Sequence, residues 1–455
     1  MRVFNVAWLL CVAQALVPGA LAKAVFAHYM VGVFTEAHAH QDIDDAVAMG
    51  LDGFVLNTGD PTPSYVKDNF NQLFNYTRDN YGDKFWLFLS IDVQTSGGAD
   101  VYSDIFQEFK DHSAYYKGPN GRPFLSTFDS KGLTNTQWQS FLDKFADSTY
   151  FVPDFDDTEG YYDAATGWWD YWGGLVDGLF SWEAAWPPAT TGVGGAYPGD
   201  ISLDRTVQAA ALSRGKTYMM ALSALQYKNA YDMNWYRLGD LNLPTRMAGI
   251  LSMSPTPDFV EVITWNDGPE SHYIGNIWPE PNTDALPMLY EAPGLAPHDA
   301  WQPLITSFIN AYKAGLDATA MEPASDQPVG AMWYKAILQS TTCPDESQGG
   351  YRAKPAGFDK ATDQLNWAIV LPSGASGYTV KLYTGDSTLI QEQALVGGLN
   401  FNATSGALRT GAQRMELLVN GVVVQTAGNG REMTDNCPDG IYNMNPQVVG
   451  LSAGT

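Results

Sequence analysis

Two carboxylic acids lie three residues apart in the stretch Asp267-Gly268-Pro269-Glu270. The Gly-Pro step between them turns the chain, so the two side chains need not point in the same direction. Hydrolysis of a glycosidic bond uses one protonated acid for the leaving oxygen and one ionised carboxylate on the other side of the sugar, and inverting cleavage holds them roughly 6.5–9.5 Å apart to admit a water. The turn can provide that span. We expect Glu270 to act as the acid and Asp267 as the base.

Further carboxylates follow the ends of predicted strands. If those strands close into a barrel, their carboxyl ends meet at one mouth, and the acids line a single pit. The structural alternative for each acid is a cap on a helix N-terminus. The acids that we expect to contact a substrate are Asp60, Asp129, Asp154, Asp156 and Glu183, and similar positions are taken by Asp92 and Asp157.

Aromatic and amide side chains accompany these acids. Aromatic residues make up 13% of the chain and charged residues only 16%, which suits a neutral, hydroxylated ligand such as a polysaccharide. The residues expected to contact such a ligand are Trp182, Trp265, Asn266, His272 and Tyr273. The cluster Trp168-Trp169-Asp170-Tyr171-Trp172 could also stack on sugar rings. The alternative for each aromatic side chain is packing between the barrel and a loop.

Other chemistries find little support. The stretch Glu36-Ala37-His38-Ala39-His40 holds ligand-type residues, but no further His stands at zinc-site spacing, so no metal is expected. The chain has neither a G-x-S-x-G elbow nor a phosphate-binding loop, and no cofactor is expected. A net charge of −25 disfavours binding to nucleic acid.

Eight short apolar runs alternate with amphipathic stretches between residues 23 and about 320. Continuous apolar strands indicate burial on both faces, as in a parallel sheet, and eight of them in this length predict a (β/α)8 TIM barrel. A doubly wound open sheet is the alternative. The predicted strands are 25–30, 53–57, 85–92, 123–128, 150–154, 178–182, 217–222 and 260–266. The predicted helices include 43–49, 64–80, 136–146, 203–213 and 301–314. The long connections 183–200 and 275–298 are expected to build the cleft.

The first 22 residues have the pattern of a secretory signal. A basic residue precedes an apolar run at 6–17, and Ala20-Leu21-Ala22 offers a small-residue cleavage site. The apolar run is too short to span a bilayer, and no later stretch is long and apolar enough. We therefore predict a secreted protein, located outside the cell or in the cell wall, without a membrane anchor and monomeric.

Residues 324–455 are predicted to form a second, β-sandwich-like domain after the catalytic barrel of residues 23–323. Strands are expected at 364–371, 377–384, 415–419 and 422–426, with Asn420-Gly421 as a type I′ hairpin turn between the last two. Cys343 and Cys437 remain after cleavage of the signal, and an oxidising compartment would join them in a disulfide. Asn75 and Asn402 lie in sequons for N-glycosylation.

Four motifs, taken together, resemble a known family. The runs 26–32, 52–57, 88–92 and 265–273 are similar, in the same order, to the fungal α-1,3-glucanases, the mutanases of glycoside hydrolase family 71. The resemblance implies hydrolysis of α-1,3-glucan with inversion and without metal or cofactor. It also implies that Asp267 and Glu270 form the catalytic pair and that Asp92 is a further essential acid. Hydrolysis of another glucan is one alternative. A carbohydrate-binding barrel without catalysis is the other, and the presence of all three acids disfavours it.

Overall fold

The computed structural model describes residues 23–145, 149–344, 350–385, 387–406 and 408–453. The predicted signal, residues 1–22, lies outside the described residues. Within them, no helix is long and apolar enough to cross a membrane.

Eight parallel strands form a nearly closed barrel, as the sequence predicts. The sheet order is β5-β4-β3-β2-β1-β10-β7-β6, and a parallel bridge between Asp154 and Phe180 joins the two outer strands. This closure excludes the doubly wound open sheet. The first ten strands are β1 (Ala24–Met30), β2 (Gly53–Thr58), β3 (Trp86–Asp92), β4 (Phe124–Phe128), β5 (Tyr150–Val152), β6 (Gly178–Ser181), β7 (Thr217–Leu222), β8 (Gln226–Ala230), β9 (Met233–Arg237) and β10 (Phe259–Val262). Strands β8 and β9 form an antiparallel hairpin inserted after β7, which the sequence analysis did not predict.

Helices connect the strands on the outside of the barrel. They are α1 (Glu36–Ala48), α2 (Ser64–Asn80), α3 (Val93–Ser96), α4 (Ser103–Phe109), α5 (Asn135–Leu142), α6 (Thr166–Trp172), α7 (Ser202–Leu212), α8 (Asn242–Leu251), α9 (Met288–Glu291) and α10 (Gln302–Ala314). Local signals explain their ends. Thr134 and Gln137 form a capping box at the start of α5, and Gly315 ends α10 with a φ of 69°.

Aromatic rings fill the barrel at the end opposite the predicted pit. The Phe26 ring lies 4.9 Å from that of Phe88 and 4.8 Å from that of Tyr116, centroid to centroid. Phe124 and Phe259 meet edge to face at 5.3 Å. All of these residues are buried or nearly so, and the barrel is therefore a packed core with chemistry possible only at its carboxyl mouth.

Two antiparallel sheets follow the barrel. One has the order β15-β12-β11-β18 and the other the order β14-β13-β16-β17-β19. The predicted hairpin turn at Asn420-Gly421 is confirmed, with φ of 49° and 83°. The strands are β11 (Val329–Lys335), β12 (Asn366–Leu371), β13 (Tyr378–Thr384), β14 (Thr388–Ala394), β15 (Gly398–Ala403), β16 (Gln413–Val419), β17 (Val422–Ala427), β18 (Pro446–Gly450) and β19 (Ser452–Ala453).

Strand β11 belongs to two cores at once. Its residues alternate, so that Ala331 and Trp333 join the hydrophobic core of the barrel while Met332 and Tyr334 join the core between the two sheets. The Trp333 ring lies 5.9 Å from that of Trp301, at the start of α10. The four-stranded sheet is thus packed directly on the barrel.

The predicted disulfide is present between Cys343 and Cys437. Both sequon asparagines are exposed, Asn75 on α2 and Asn402 on β15. Exposure makes them accessible for glycosylation, which remains a prediction.

Candidate active site

The loop that carries Asp267 and Glu270 leaves the last barrel strand and is closed at its base. Thr264 N donates to His272 O at 2.9 Å, and Ile274 N donates back to Thr264 O at 3.0 Å. A 3-10 turn, Gly268–Glu270, separates the two acids. Their side chains are 15% and 20% exposed, so both can be reached by a ligand from the mouth.

Glu270 is surrounded by hydrogen-bond donors. Lys228 Nζ donates to Oε1 at 2.8 Å, while Oε2 lies 3.1 Å from His272 Nε2 and accepts a hydrogen bond from the amide of Gln226. Burial alone would raise the pKa of this carboxyl. The bond to His272 and the charge of Lys228 outweigh burial and hold the pKa below its ordinary value. Glu270 is therefore the ionised member of the pair.

Asp267 has no such set of donors. Its Oδ2 lies 4.0 Å from His272 Nε2, beyond hydrogen-bond distance. Burial, and then the neighbouring negative charge of Glu270, raise the pKa of Asp267 to about 6. The order of the two pKa values is the reverse of the acid and base roles that we expected from the sequence. Two of the partners of Glu270, Gln226 and Lys228, come from a hairpin that the sequence did not predict, and the third, His272, lies on the same loop.

One oxygen of each acid and one nitrogen of His272 all lie within 4.8 Å of one another. These three atoms could reach a single cation. A cation would, however, compete with the Lys228 ammonium already bound to Glu270. These oxygens of the two acids are closer together than the roughly 6.5–9.5 Å that separates the carboxyl groups of inverting sites.

The hairpin β8–β9 supplies the basic side of the site. Gln226 and Lys228 project from β8 to Glu270, and Arg237 at the end of β9 pairs with Glu183. A polar strand with the sequence Gln-Tyr-Lys-Asn-Ala has no continuous apolar run, so periodicity did not reveal it. The signal that could have revealed this strand is the alternation of the polar residues Gln226 and Lys228 with the aromatic Tyr227.

A second group of acids lies at the ends of β5 and β6. Asp156 Oδ2 accepts hydrogen bonds from Tyr162 OH at 2.6 Å and from the backbone N–H of Glu183 at 2.7 Å. Burial, and then the charge of Glu183, raise the pKa of Asp156 to about 7. Burial raises the pKa of Asp157 to about 6 and that of Asp154 well above its usual range. Asp154 is itself buried, with Oδ1 lacking a partner in the described part of the chain.

The three other predicted acids have different surroundings. Asp92 caps α3, since its two carboxylate oxygens accept from Thr95 N at 2.9 Å and Thr95 Oγ1 at 3.0 Å. Burial raises the pKa of Asp92. Asp129, with a φ of 65°, is partly exposed and accepts from Lys131 N. Asp60 is fully exposed and binds the N–H and hydroxyl of Thr62.

Four of the aromatic and amide side chains that are predicted to contact a substrate make contacts within the protein. Trp265 is fully buried against Phe54, at 5.2 Å between ring centroids, so neither face is open to a sugar. Tyr273 is buried and donates to Ala296 O at 2.6 Å. Trp182 is 5% exposed, and Asn266 forms two hydrogen bonds to the backbone of Met30. These residues were expected at the surface of the pit because sequence cannot tell a ring that faces a ligand from one that supports a loop.

Histidines and tryptophans build the layer beneath the mouth. His28 Nδ1 lies 2.7 Å from the buried Glu261, and the His28 ring meets the Trp182 ring edge to face at 4.9 Å. His272 is fully buried and stacks on Trp186 at 5.7 Å. His272 contacts Glu270 through Nε2, and its predicted contact with substrate stays a prediction.

Glu291 on α9 is a buried acid that the sequence analysis did not single out. It is 1% exposed, and neither carboxylate oxygen has a hydrogen-bond partner among the described residues. A Cβ built on Gly268 would lie 1.8 Å from its Oε2, so the carboxyl packs directly against the turn between Asp267 and Glu270. Burial, and then the charge of Asp267, raise the pKa of Glu291 to about 8. Glu291 is therefore neutral at acidic and neutral pH.

The mouth of this (β/α)8 barrel holds one carboxyl with a raised pKa and one with a lowered pKa, an arrangement of acid and base that glycoside hydrolases use. Residues 21–455 match the model of Glycosyl hydrolase family 71, and the chain belongs to that family. It is 30% identical to glucan endo-1,3-alpha-glucosidase agn1 of Schizosaccharomyces pombe, over 93% of both chains. It is 28% identical to a mutanase of Penicillium rubens, over 95% of this chain and 89% of that one. A GH99 endo-alpha-mannosidase from Bacteroides thetaiotaomicron superposes with a TM-score of 0.48 at 9% identity, over 65% of this chain and 99% of that one.

Proposed function

We propose that this glycoside hydrolase is secreted and cleaves the α-1,3-glucosidic bonds of α-1,3-glucan within the chain. The observation that carries the proposal is the pair Asp267 and Glu270 at the mouth of a family 71 barrel. The pKa of Asp267 is raised and that of Glu270 is lowered. The printed names of the two relatives, an endo-1,3-α-glucosidase and a mutanase, support the substrate.

The separated pKa values favour Asp267 as the general acid and Glu270 as the general base. Asp267 donates its proton to the glycosidic oxygen as the bond from that oxygen to the anomeric carbon breaks. A water attacks the same carbon and gives up a proton to Glu270. Lys228 and His272 keep Glu270 ionised but also reduce its basicity, so the site must hold the water in line for the proton to be removed.

Inversion at the anomeric carbon follows from this use of water. Because oxygens of the two acids lie within 4.8 Å of each other in the free protein, a bound sugar must first push them towards the roughly 6.5–9.5 Å of inverting sites. Proton NMR of the first products reads the outcome directly. We expect new ends of β configuration, and an initial α anomer would contradict inversion.

We further propose roles for the other acids. Asp92 is a further essential acid, whose charge helps to keep one carboxyl of the pair protonated. Asp60, Asp129, Asp154, Asp156 and Glu183 form the acidic side of the substrate cleft. The chain acts as a monomer on an extracellular or wall polysaccharide, with residues 1–22 as its export signal.

The test is product release from insoluble polysaccharides by the purified protein. We expect soluble reducing ends from α-1,3-glucan and none from β-1,3-glucan or dextran, with Asp267→Asn as the inactive control. Release from another glucan would favour the first alternative, hydrolysis of a different polymer. Binding to α-1,3-glucan by wild type without any release would favour the non-catalytic barrel and contradict the proposal.

A further inference from the structure

A cleft of about 500 Å³ lies at the tip of the hairpin β8–β9, outside the catalytic pair. Its size falls in the range of small-molecule sites, roughly 300–1,000 Å³. Three separate parts of the chain wall it, namely the hairpin, the long loop after β10 and residues 350–354. Its walls include Tyr231, Met233, Asn234, Leu286, Tyr351 and Ala353. We refer to it as the hairpin cleft.

The cleft presents apolar and aromatic surface to solvent. Tyr231 is 53% exposed and Met233 is 38% exposed, and both lie at the tip of the same hairpin. The Tyr231 hydroxyl donates to a carboxylate oxygen of Asp284, so the ring is held in place without a ligand. Tyr351 adds a second ring. A fixed, exposed tyrosine offers a large contact area to a sugar face at little entropic cost.

An asparagine joins the two walls of the cleft. Asn234 Nδ2 donates to Ala353 O at 2.9 Å and to Gly350 O at 3.2 Å, which ties the hairpin to the opposite wall. The aromatic faces of Tyr231 and Tyr351 match a neutral, hydroxylated ligand better than an anion.

One lysine links the cleft to the catalytic pair. Lys228 Nζ is 2.8 Å from Glu270 Oε1 and 5.7 Å from the centroid of the Tyr231 ring. Lys228 lies on β8, and Tyr231 lies in the turn that follows β8, where its φ is 57°. A single glucan chain lying across the mouth can therefore reach both places.

The far wall is fixed to the hairpin. Asn229 Nδ2 donates to Tyr351 O at 2.6 Å, and Tyr236 N donates to Ala356 O at 2.8 Å. Ala356 N donates in turn to Asn234 O at 2.9 Å. Residues 350–356 thus extend the hairpin next to the site.

We propose that the hairpin cleft is a second glucosyl-binding site, which holds a residue of the same α-1,3-glucan chain at a distance from the bond that is cleaved. The inference rests on the proposed function and deepens it. The cleft gives preference for long chains, and residues beyond the barrel contribute directly to substrate binding.

The experiment compares kcat/KM on α-1,3-linked oligosaccharides of increasing length for wild type, Tyr231→Ala and Tyr231→Phe. We expect Tyr231→Ala to lower the ratio of long-chain to short-chain kcat/KM about tenfold, because the stacking face is lost. Tyr231→Phe keeps the ring and should keep most of the ratio. The matched control is Tyr383→Ala on β13. That tyrosine also donates to a carboxylate, of Glu416 at 2.9 Å, and also lies under a cation, Arg414 at 4.1 Å, but in the five-stranded sheet.

The outcomes separate this proposal from the proposed function. If wild type prefers long chains and the ratio is unchanged in Tyr231→Ala, the cleft does not bind the glucan and the inference is wrong. An equal fall in Tyr383→Ala would also overturn it, since the effect would then be one of stability. If wild type cleaves no α-1,3-linked chain at all, the proposed function fails, and this inference fails with it.

Discussion

Carboxylates gather on two sides of the barrel mouth, and the two groups differ in their partners. On the side of the β10 loop, Glu270 has Lys228 and His272 within 3.1 Å, while Asp267 has neither within hydrogen-bond distance. Their pKa values separate as a result. On the side of β5 and β6, burial raises the pKa of each of Asp154, Asp156 and Asp157, and the nearby cation, Arg237, pairs with Glu183 instead. The pKa values of neighbouring acids are thus separated at the β10 loop, whereas those of the three aspartates at β5 and β6 are all raised.

Neutral substitutions on the two sides of the mouth test whether the two groups of acids differ in function. Asp267→Asn and Glu270→Gln keep the shape of the side chain but remove the acid or base, so we expect kcat to fall at least about 10³-fold. Asp156→Asn keeps an oxygen for Tyr162 and the Glu183 N–H, and we expect a loss of about tenfold or less. Initial rates on soluble oligosaccharides, with melting temperatures to show that each variant folds, check both. Equal losses on the two sides would remove the distinction.

The rate loss expected for Asp92 is intermediate between those of the catalytic pair and of Asp156. We expect Asp92→Asn to lower kcat about 10²-fold, because the charge that favours a protonated partner is lost, and to lower stability much less. The amide can still accept one of the two hydrogen bonds from Thr95. The rate and the melting temperature are measured together. A large drop in melting temperature with intact turnover would make Asp92 only a cap of α3.

Lys228 tests the difference between the two groups further, because it is the cation that pairs with Glu270. Its charge lowers the pKa of both Glu270 and Asp267. In Lys228→Met both pKa values should rise, and both limbs of the pH profile of kcat/KM should move to higher pH, with a loss of about tenfold or more at the optimum. Lys228→Arg should keep the limbs near their wild-type positions. Lys67→Met on α2, whose partner Glu108 is at the surface, serves as the control. Unmoved limbs in Lys228→Met would show that the lysine does not set the pair.

The effect predicted for Glu291 appears in stability and not in the rate. Its pKa of about 8 in the folded protein exceeds the ordinary 4.5, so the folded state holds a proton that the unfolded state releases. The resulting stabilisation is complete below pH 4.5 and is lost progressively up to about pH 8. Wild type should therefore lose about 2–4 kcal/mol of unfolding free energy over this window relative to Glu291→Gln. Melting temperatures of both proteins at pH 4.5, 6 and 8 test this, and parallel curves would contradict it.

Sequence periodicity predicted all eight barrel strands because each is a short apolar run buried on both faces, as in β2 and β7. It also predicted Asp267 and Glu270, since acids after the last strand must lie at the mouth. It missed Lys228 and Arg237, which decide the charge of the site, because they lie on a polar hairpin. It placed Trp265 and Tyr273 in the cleft, although both are buried. Whether an aromatic ring faces a ligand depends on the loop packed against it, and that is a property of the tertiary structure.

We propose that Asp267 donates the proton to the glycosidic oxygen and that Glu270 activates the water. A substrate whose leaving group needs no proton, an α-1,3-linked oligosaccharyl fluoride, tests the two roles separately. We predict that Asp267→Asn hydrolyses the fluoride far better than the oligosaccharide, relative to wild type, whereas Glu270→Gln stays inactive on both. Recovery of Glu270→Gln with no recovery of Asp267→Asn would show that the roles are the other way round.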